Sequence, residues 1–558
     1  MIRLVPACAY CFIVLLFLPA VWRFKSLERD PTSVSGEVGT WIDPGHYIYN
    51  ARSRALFGEW RADEGTSLYL TPGYSFLLAL WFYFVGAGYA QAALLSVIAG
   101  LVLIVATAVY ARAAASAEGN DLPGFWAAGA ALTFLLLSYV MCAVQHIPKG
   151  DIESVAVCSL TALAFAKLQS REPSTGGAKS TFTALAAGFG VGFAPFMKTY
   201  SVQFSAACVI AWIVSYYLLS SQWKRVWRRT TPWVGFGFVL ALLVWAGWAV
   251  WLLKLNVFQR AGSESLRVIG IVLPFLPARG HPSGQIWTTF SVWRFLQSNV
   301  FYRHPVESLL TTLATARFVF SRKWNWPLLL AFTWLVVGVI AMSIMSKAPT
   351  RYRLLSVPPA TVLAACLWTE LATQKMERLG RRKDLLTYTF SAAVLAYVVL
   401  YSASIRVPAA QWISNRFVFL SLLVCAVPIL AILTGTALKR IPHRWLAILL
   451  AAIMAAVALP QWWIGERSTS YELRNTARHI VESYPHEILG QWWGSELALW
   501  TNSNAYLEWT PAALQHVTII VGEIEDLSQS PLKWHEIERV QIKPGKETIT
   551  LILGKVDR

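Results

Sequence analysis

Apolar runs long enough to cross a bilayer, about 20 residues or slightly fewer where interfacial side chains flank them, recur along most of the chain. They fall near 5–22, 91–111, 124–145, 152–168, 182–197, 200–220, 232–254, 304–321, 326–345, 354–373, 386–404, 415–437 and 444–463. Together they predict about thirteen helical spans. The run at 304–321 is the weakest, because it carries Glu307 and Arg317. With the N-terminus inside, the basic short loops all fall on one side: Arg112; Lys167, Arg171 and Lys179; Lys224, Arg225, Arg228 and Arg229; Arg322 and Lys323; Lys375 to Lys383; Lys439, Arg440 and Arg444. That is the positive-inside pattern. It requires the apolar stretch 72–86 to be a juxtamembrane or re-entrant helix on the outer side. Arg23, Lys25 and Arg29 are the exception to the scheme.

After residue 463 the pattern changes. A helical period near 469–483 gives way to strand patterns at Val517–Val521 and Thr548–Leu553, with turn residues Lys543, Pro544 and Gly545 between them. The expected architecture is an all-α polytopic membrane domain (1–463) followed by a small soluble α/β domain (464–558). Outer segments fall at 23–90, 146–151, 255–303 and 346–353.

Composition sharpens this reading. Of 558 residues 56% are hydrophobic and only 14% charged, against about 25% charged in soluble proteins. The formal charge of +18 sits largely in short clusters at span ends, which suits topology and anionic lipid headgroups. No nucleic-acid motif accompanies it. All seven cysteines lie in apolar stretches, which excludes a disulfide framework in the tail. The first apolar run lacks a small-x-small cleavage site, so an uncleaved helix is expected rather than a signal peptide.

Candidate chemistry gathers on the outer side. The first outer segment reads Trp41-Ile42-Asp43-Pro44-Gly45-His46-Tyr47 and later Thr71-Pro72-Gly73-Tyr74. Asp43 precedes what reads as a helix, where it is either an N-cap or a functional carboxylate. The second outer loop reads His146-Ile147-Pro148-Lys149-Gly150-Asp151-Ile152-Glu153, and Lys198 ends a glycine-rich span. Arg351-Tyr352 precedes Val357-Pro358-Pro359, and Arg416-Phe417 has a similar look. Gly176 to Thr181 imitates the end of a phosphate-binding loop, but Ala178 stands where the glycine before the Lys is required. Gly188, Gly190 and Gly192 are explained by close helix packing.

In their order and shared sidedness these motifs resemble the GT-C membrane glycosyltransferases of glycosyltransferase family 39, which includes protein O-mannosyltransferases and aminoarabinose lipid A transferases. The resemblance is good over roughly the first 200 residues and looser near Arg351. Pro44 stands where the family often has Glu. The resemblance implies an inverting enzyme that takes a sugar from a polyprenyl-phosphate donor and passes it to a lipid, polysaccharide or protein acceptor. Asp43 takes the catalytic position, with Asp151 second. His46, Tyr47, Lys149, Lys198, Arg351, Tyr352 and Arg416 are implied substrate contacts, Arg351 or Arg416 holding the lipid phosphate. The resemblance fixes no cofactor, and Asp43, Asp151 and Glu153 have the oxygens to hold a divalent metal. His281, His304, Arg279 and Arg303 lie in the third outer segment and read singly as interfacial residues. The implied location is a bacterial inner membrane with the site and tail extracytoplasmic. A transporter or flippase for a lipid-linked glycan is the main alternative. It predicts charges deep within spans and often an internal repeat, and neither is evident. A scaffold subunit would leave the outer carboxylates dispensable.

Overall fold

The computed structural model describes residues 27–30, 43–116, 122–138, 147–169, 178–263, 305–321, 325–344, 354–373, 470–543 and 548–557, with scattered positions at 24, 141 and within 383–456. Each span expected between 91 and 373 coincides with a helix: Tyr89–Ala115, Leu122–Leu137, Asp151–Gln169, Ala178–Met197, Val202–Leu218, Ser221–Lys254, Pro305–Ser321, Trp326–Ile344 and Val357–Ala372. Among the described residues, five helices are long and apolar enough to cross a membrane by length and composition. The chain is an integral membrane protein. The expected spans at 5–22, 386–404, 415–437 and 444–463 lie largely or wholly outside the described residues, so the total of thirteen is not established.

One boundary is corrected. Lys224, Arg225, Arg228 and Arg229 lie not in a loop but in the opening turns of Ser221–Lys254, which runs through Pro232. Tertiary packing keeps those turns helical. The indole of Trp223 donates to Ser215 Oγ at 3.0 Å, and that of Trp227 to the Trp212 carbonyl at 2.8 Å. Ser220 caps the helix through the Trp223 amide.

The glycines of Ala178–Met197 pack as expected. A Cβ on Gly188 would collide with the Val234 carbonyl, and one on Gly190 with the Thr161 hydroxyl. Gly192 faces Ala241, and Gly237 faces the Leu185 carbonyl. Backbones therefore meet almost directly, so that many dispersion contacts replace the absent hydrophobic drive between helices in lipid. Gly188→Leu should then destabilise by at least about 1–3 kcal/mol through overpacking, seen as lost folded yield in detergent. Gly235→Leu, where a Cβ meets open space, should be tolerated.

The apolar stretch after Thr71 is a helix, Pro72–Val85. Its 14 residues span about 21 Å, short of the hydrocarbon thickness of about 30 Å. Pro72 stands in its first turn, where its missing amide is no loss.

The tail is a five-stranded mixed sheet with helices. We label its strands β1 (Leu489–Gly490), β2 (Ala505–Tyr506), β3 (Ile519–Gly522), β4 (Trp534–Ile542) and β5 (Ile549–Val556). Their order is β2-β1-β3-β5-β4, the first three parallel and the rest antiparallel. The expected helix is Glu472–Ser483, and both expected strands are present as β3 and β5. Helix Gln491–Ala498, directly after β1, contributes Trp493 and Leu497 to a core shared with Leu473, Ile480, Ile519 and Leu553.

The two parts are clasped by buried polar groups. Glu64 accepts from the Tyr49 hydroxyl at 2.6 Å and the Leu507 amide at 2.8 Å. Arg61 donates to the Ala505 carbonyl at 2.5 Å and lies 4.0 Å from the Tyr506 ring centroid. Burial raises the Glu64 carboxyl above its usual range, against the lowering effect of these donors. Arg52, buried on helix Asp43–Phe57, donates to the Thr501 and Ser503 carbonyls, and burial pushes its guanidinium down to about 10. Asp30 caps helix Glu472–Ser483, accepting from the Glu472 amide at 2.8 Å and the Leu473 amide at 3.2 Å.

Candidate active site

Helix Asp43–Phe57 opens at Asp43, so the carboxylate predicted to matter heads a helix. The Asp43 side chain itself lies outside the described residues. Tyr47, four residues on and hence on the same face, is buried. Its ring sits 4.2 Å from the ammonium of Lys198. That contact brings the start of the Asp43 helix to the second outer loop and to the end of helix Ala178–Met197.

Lys198 is the hub. Its ammonium lies 3.0 Å from Asp151 Oδ1 and donates to the Lys149 carbonyl at 2.5 Å. Both charged side chains are almost wholly buried. Carboxylate, carbonyl and aromatic face surround the ammonium, so it is a fixed charge within the protein rather than an open hook at the mouth. Lys149 is likewise buried. One residue into the helix from Ile152, Glu153 accepts from the Ser96 hydroxyl at 2.6 Å.

Small residues let these elements close up. Gly150 has φ +76°, and a Cβ there would stand 2.8 Å from the Tyr74 ring. Both facts demand glycine just before Asp151. Gly73 is pressed against Met197 and Phe196, 2.8 and 2.9 Å from where its Cβ would be. The Pro72-Gly73-Tyr74 motif is thus a wedge between the Asp151 loop and the helix that ends at Lys198. Thr199 continues the seam by donating to the Leu70 carbonyl at 2.8 Å.

His46 faces another way. Its Nε2 pairs with the Thr66 hydroxyl at 2.6 Å, and the Thr66 amide points to the same nitrogen at 3.3 Å. Its ring is 6.1 Å from Trp492 of the C-terminal domain. It therefore ties down the loop that follows its own helix. Arg351, Tyr352 and Arg416 lie outside the described residues, as do His146, His281, His304, Arg279 and Arg303. Among the described residues no group of three or more His, Cys, Asp or Glu side chains is placed to hold a metal ion. Asp151 already faces the Lys198 ammonium.

The residue that sequence reasoning missed is Glu496. It is fully buried on helix Gln491–Ala498, and its Oε2 accepts the amide of Gly45. That amide is the first one an Asp43 cap would reach.

No family model matches the sequence, and no curated protein matches it by sequence. Solved structures do match in three dimensions. ArnT from Cupriavidus metallidurans bound to undecaprenyl phosphate superposes over 98% of both chains, with a TM-score of 0.56 at 16% identity. This is the fold of ArnT. The apo state of the same ArnT superposes over the same shares with a TM-score of 0.53. At such identity the likeness is one of fold. ArnT is an aminoarabinose lipid A transferase of GT-C fold, and the likeness runs the length of the chain, C-terminal domain included. Within the ArnT fold, the ends of three separate segments meet at Lys198.

Proposed function

We propose that the protein is an inverting membrane glycosyltransferase that moves a sugar from a polyprenyl-phosphate donor to an acceptor hydroxyl on the extracytoplasmic face. The observation that carries this reading is the meeting of the Asp43 helix, Asp151 and Lys198 at one place in a fold shared with ArnT. Asp43 accepts the acceptor's proton as its oxygen attacks the anomeric carbon, and the bond from that carbon to the phosphate oxygen breaks on the opposite face. The polyprenyl phosphate leaves as an anion. Lys198, fixed and dehydrated, pairs with Asp151 and supplies positive potential where water is excluded. Asp151 positions rather than takes protons. Tyr47 and Lys149 shape the same wall, and His46 keeps the loop behind it in place. The lipid phosphate is assigned to Arg351, with Tyr352 beside it, or else to Arg416, since guanidinium binds phosphate through two parallel hydrogen bonds.

The test is reconstitution in liposomes holding a polyprenyl-phosphate sugar and candidate acceptors, followed by mass spectrometry of the lipids. Transfer should appear as freed polyprenyl phosphate and a glycosylated acceptor, lipid first among the candidates. Donor that crosses the bilayer unconsumed would replace this reading by the flippase. Arg351→Lys should weaken donor use about tenfold or more, since one charge-assisted hydrogen bond is worth roughly 1.5–3 kcal/mol. Unchanged donor use would move the phosphate to Arg416.

A further inference from the structure

The start of helix Asp43–Phe57 is not self-sufficient. Pro44 in its first turn has no amide, and the next one, that of Gly45, donates to Glu496, 451 positions later in the chain. Helix openings leave amides without partners and carry partial positive charge, so a dehydrated carboxylate there is strongly held. The approach is close enough to dictate the sequence. A Cβ on Gly45 would stand 2.7 Å from Glu496 Oε2, 3.0 Å from its Cα and 3.1 Å from its amide nitrogen. No side chain fits between the two backbones.

The segment carrying Glu496 is itself anchored to the membrane part. The Tyr89 amide, at the head of a spanning helix, donates to the Leu499 carbonyl at 3.0 Å. The Tyr89 ring stacks on Trp500 with centroids 4.1 Å apart. Leu499 is buried in one cluster with Tyr47, Ile48 and Tyr74. Glu496 is therefore held from both sides, and its carboxylate cannot drift from the Asp43 helix without breaking that seam.

We infer that Glu496 is a positioning residue for the reaction: it caps the Asp43 helix from the C-terminal domain, and so fixes where that helix presents Asp43. The inference rests on the assignment of Asp43 as base. It also explains how an Asp at a helix start can serve chemistry, since an amide in the same first turn is served by another carboxylate.

The experiment compares the full-length protein with Glu496→Gln and Glu496→Ala in two readouts. Hydrogen exchange of the peptide spanning 41–52 is independent of activity. It should quicken about tenfold at the helix start in the Ala variant and stay near the parent rate in Gln, which keeps an acceptor oxygen. Turnover should fall at least about tenfold in kcat for Ala with donor KM within about twofold, and Gln should restore most of it. Glu536→Ala, on the exposed face of β4, is the control for loss of a carboxylate in this domain. Unchanged exchange in the Ala variant overturns the cap. Quickened exchange with an unchanged kcat overturns the positioning role, and so does a KM effect alone. If the parent shows no transfer at all, the exchange result still stands, and the failure is that of the glycosyltransferase reading.

Discussion

Asp43→Asn is expected to fold, insert and bind donor lipid, and to lose about 10²–10⁴-fold in turnover, the usual worth of general acid–base catalysis. Asn ranks with Asp as a helix cap, so a residue that served only the helix start would survive the change. Capping is all the less the reason for Asp43 because Gly45 already donates to Glu496. Varying divalent ions alongside separates loss of a base from loss of a metal ligand. Transfer at the parent rate would remove Asp43 from the chemistry and leave the helix without a proposed base.

The second large effect concerns the buried pair. Lys198→Met removes the ammonium that lies 3.0 Å from Asp151 Oδ1, and strands a carboxylate at the end of a membrane span. Breaking a buried pair by removing one member costs about 3–5 kcal/mol, whereas replacing both by neutral groups is often nearly neutral. The single variant should therefore be poorly stable, and Lys198→Met with Asp151→Asn should recover much of that stability. Turnover should recover in neither, because the fixed charge beside Tyr47 is gone. Thermal melting in detergent with a transfer assay decides this. A Lys198→Met protein as stable and as active as the parent would show that the pair is ornamental.

Much of the membrane part was legible because lipid imposes a crude code. Every span read between 91 and 373 became a helix, since backbone in hydrocarbon must satisfy itself. The exception is instructive. Basic residues and Pro232 read as a break, yet indoles of Trp223 and Trp227 bonded to the preceding helix keep the turns helical. Contacts between residues 8 and 15 positions apart outweighed a local rule. Asp151 and Lys198 were found as single positions, but not as partners, because spacing along a chain says nothing about which helix ends converge. Glu496 was invisible for the same reason, although one sign was present. A lone carboxylate among Trp492, Trp493, Leu497, Ala498, Leu499 and Trp500 must either face water or meet a donor, and it meets Gly45. Strand β4 was missed because its alternation is weak, with most positions partly or wholly exposed.

The two caps that cross between the ends of the chain have a consequence for biosynthesis. Asp30 closes a helix that begins at Glu472, and Glu496 closes one that begins at Asp43. Each therefore waits for a segment made more than four hundred residues earlier or later. At roughly 5–20 residues per second, the ribosome needs on the order of half a minute or more to travel that distance. During that interval the Gly45 amide lacks its Glu496 acceptor. On the proposed reading, the helix that presents Asp43 is therefore capped only once the C-terminal sheet domain has been made and docked.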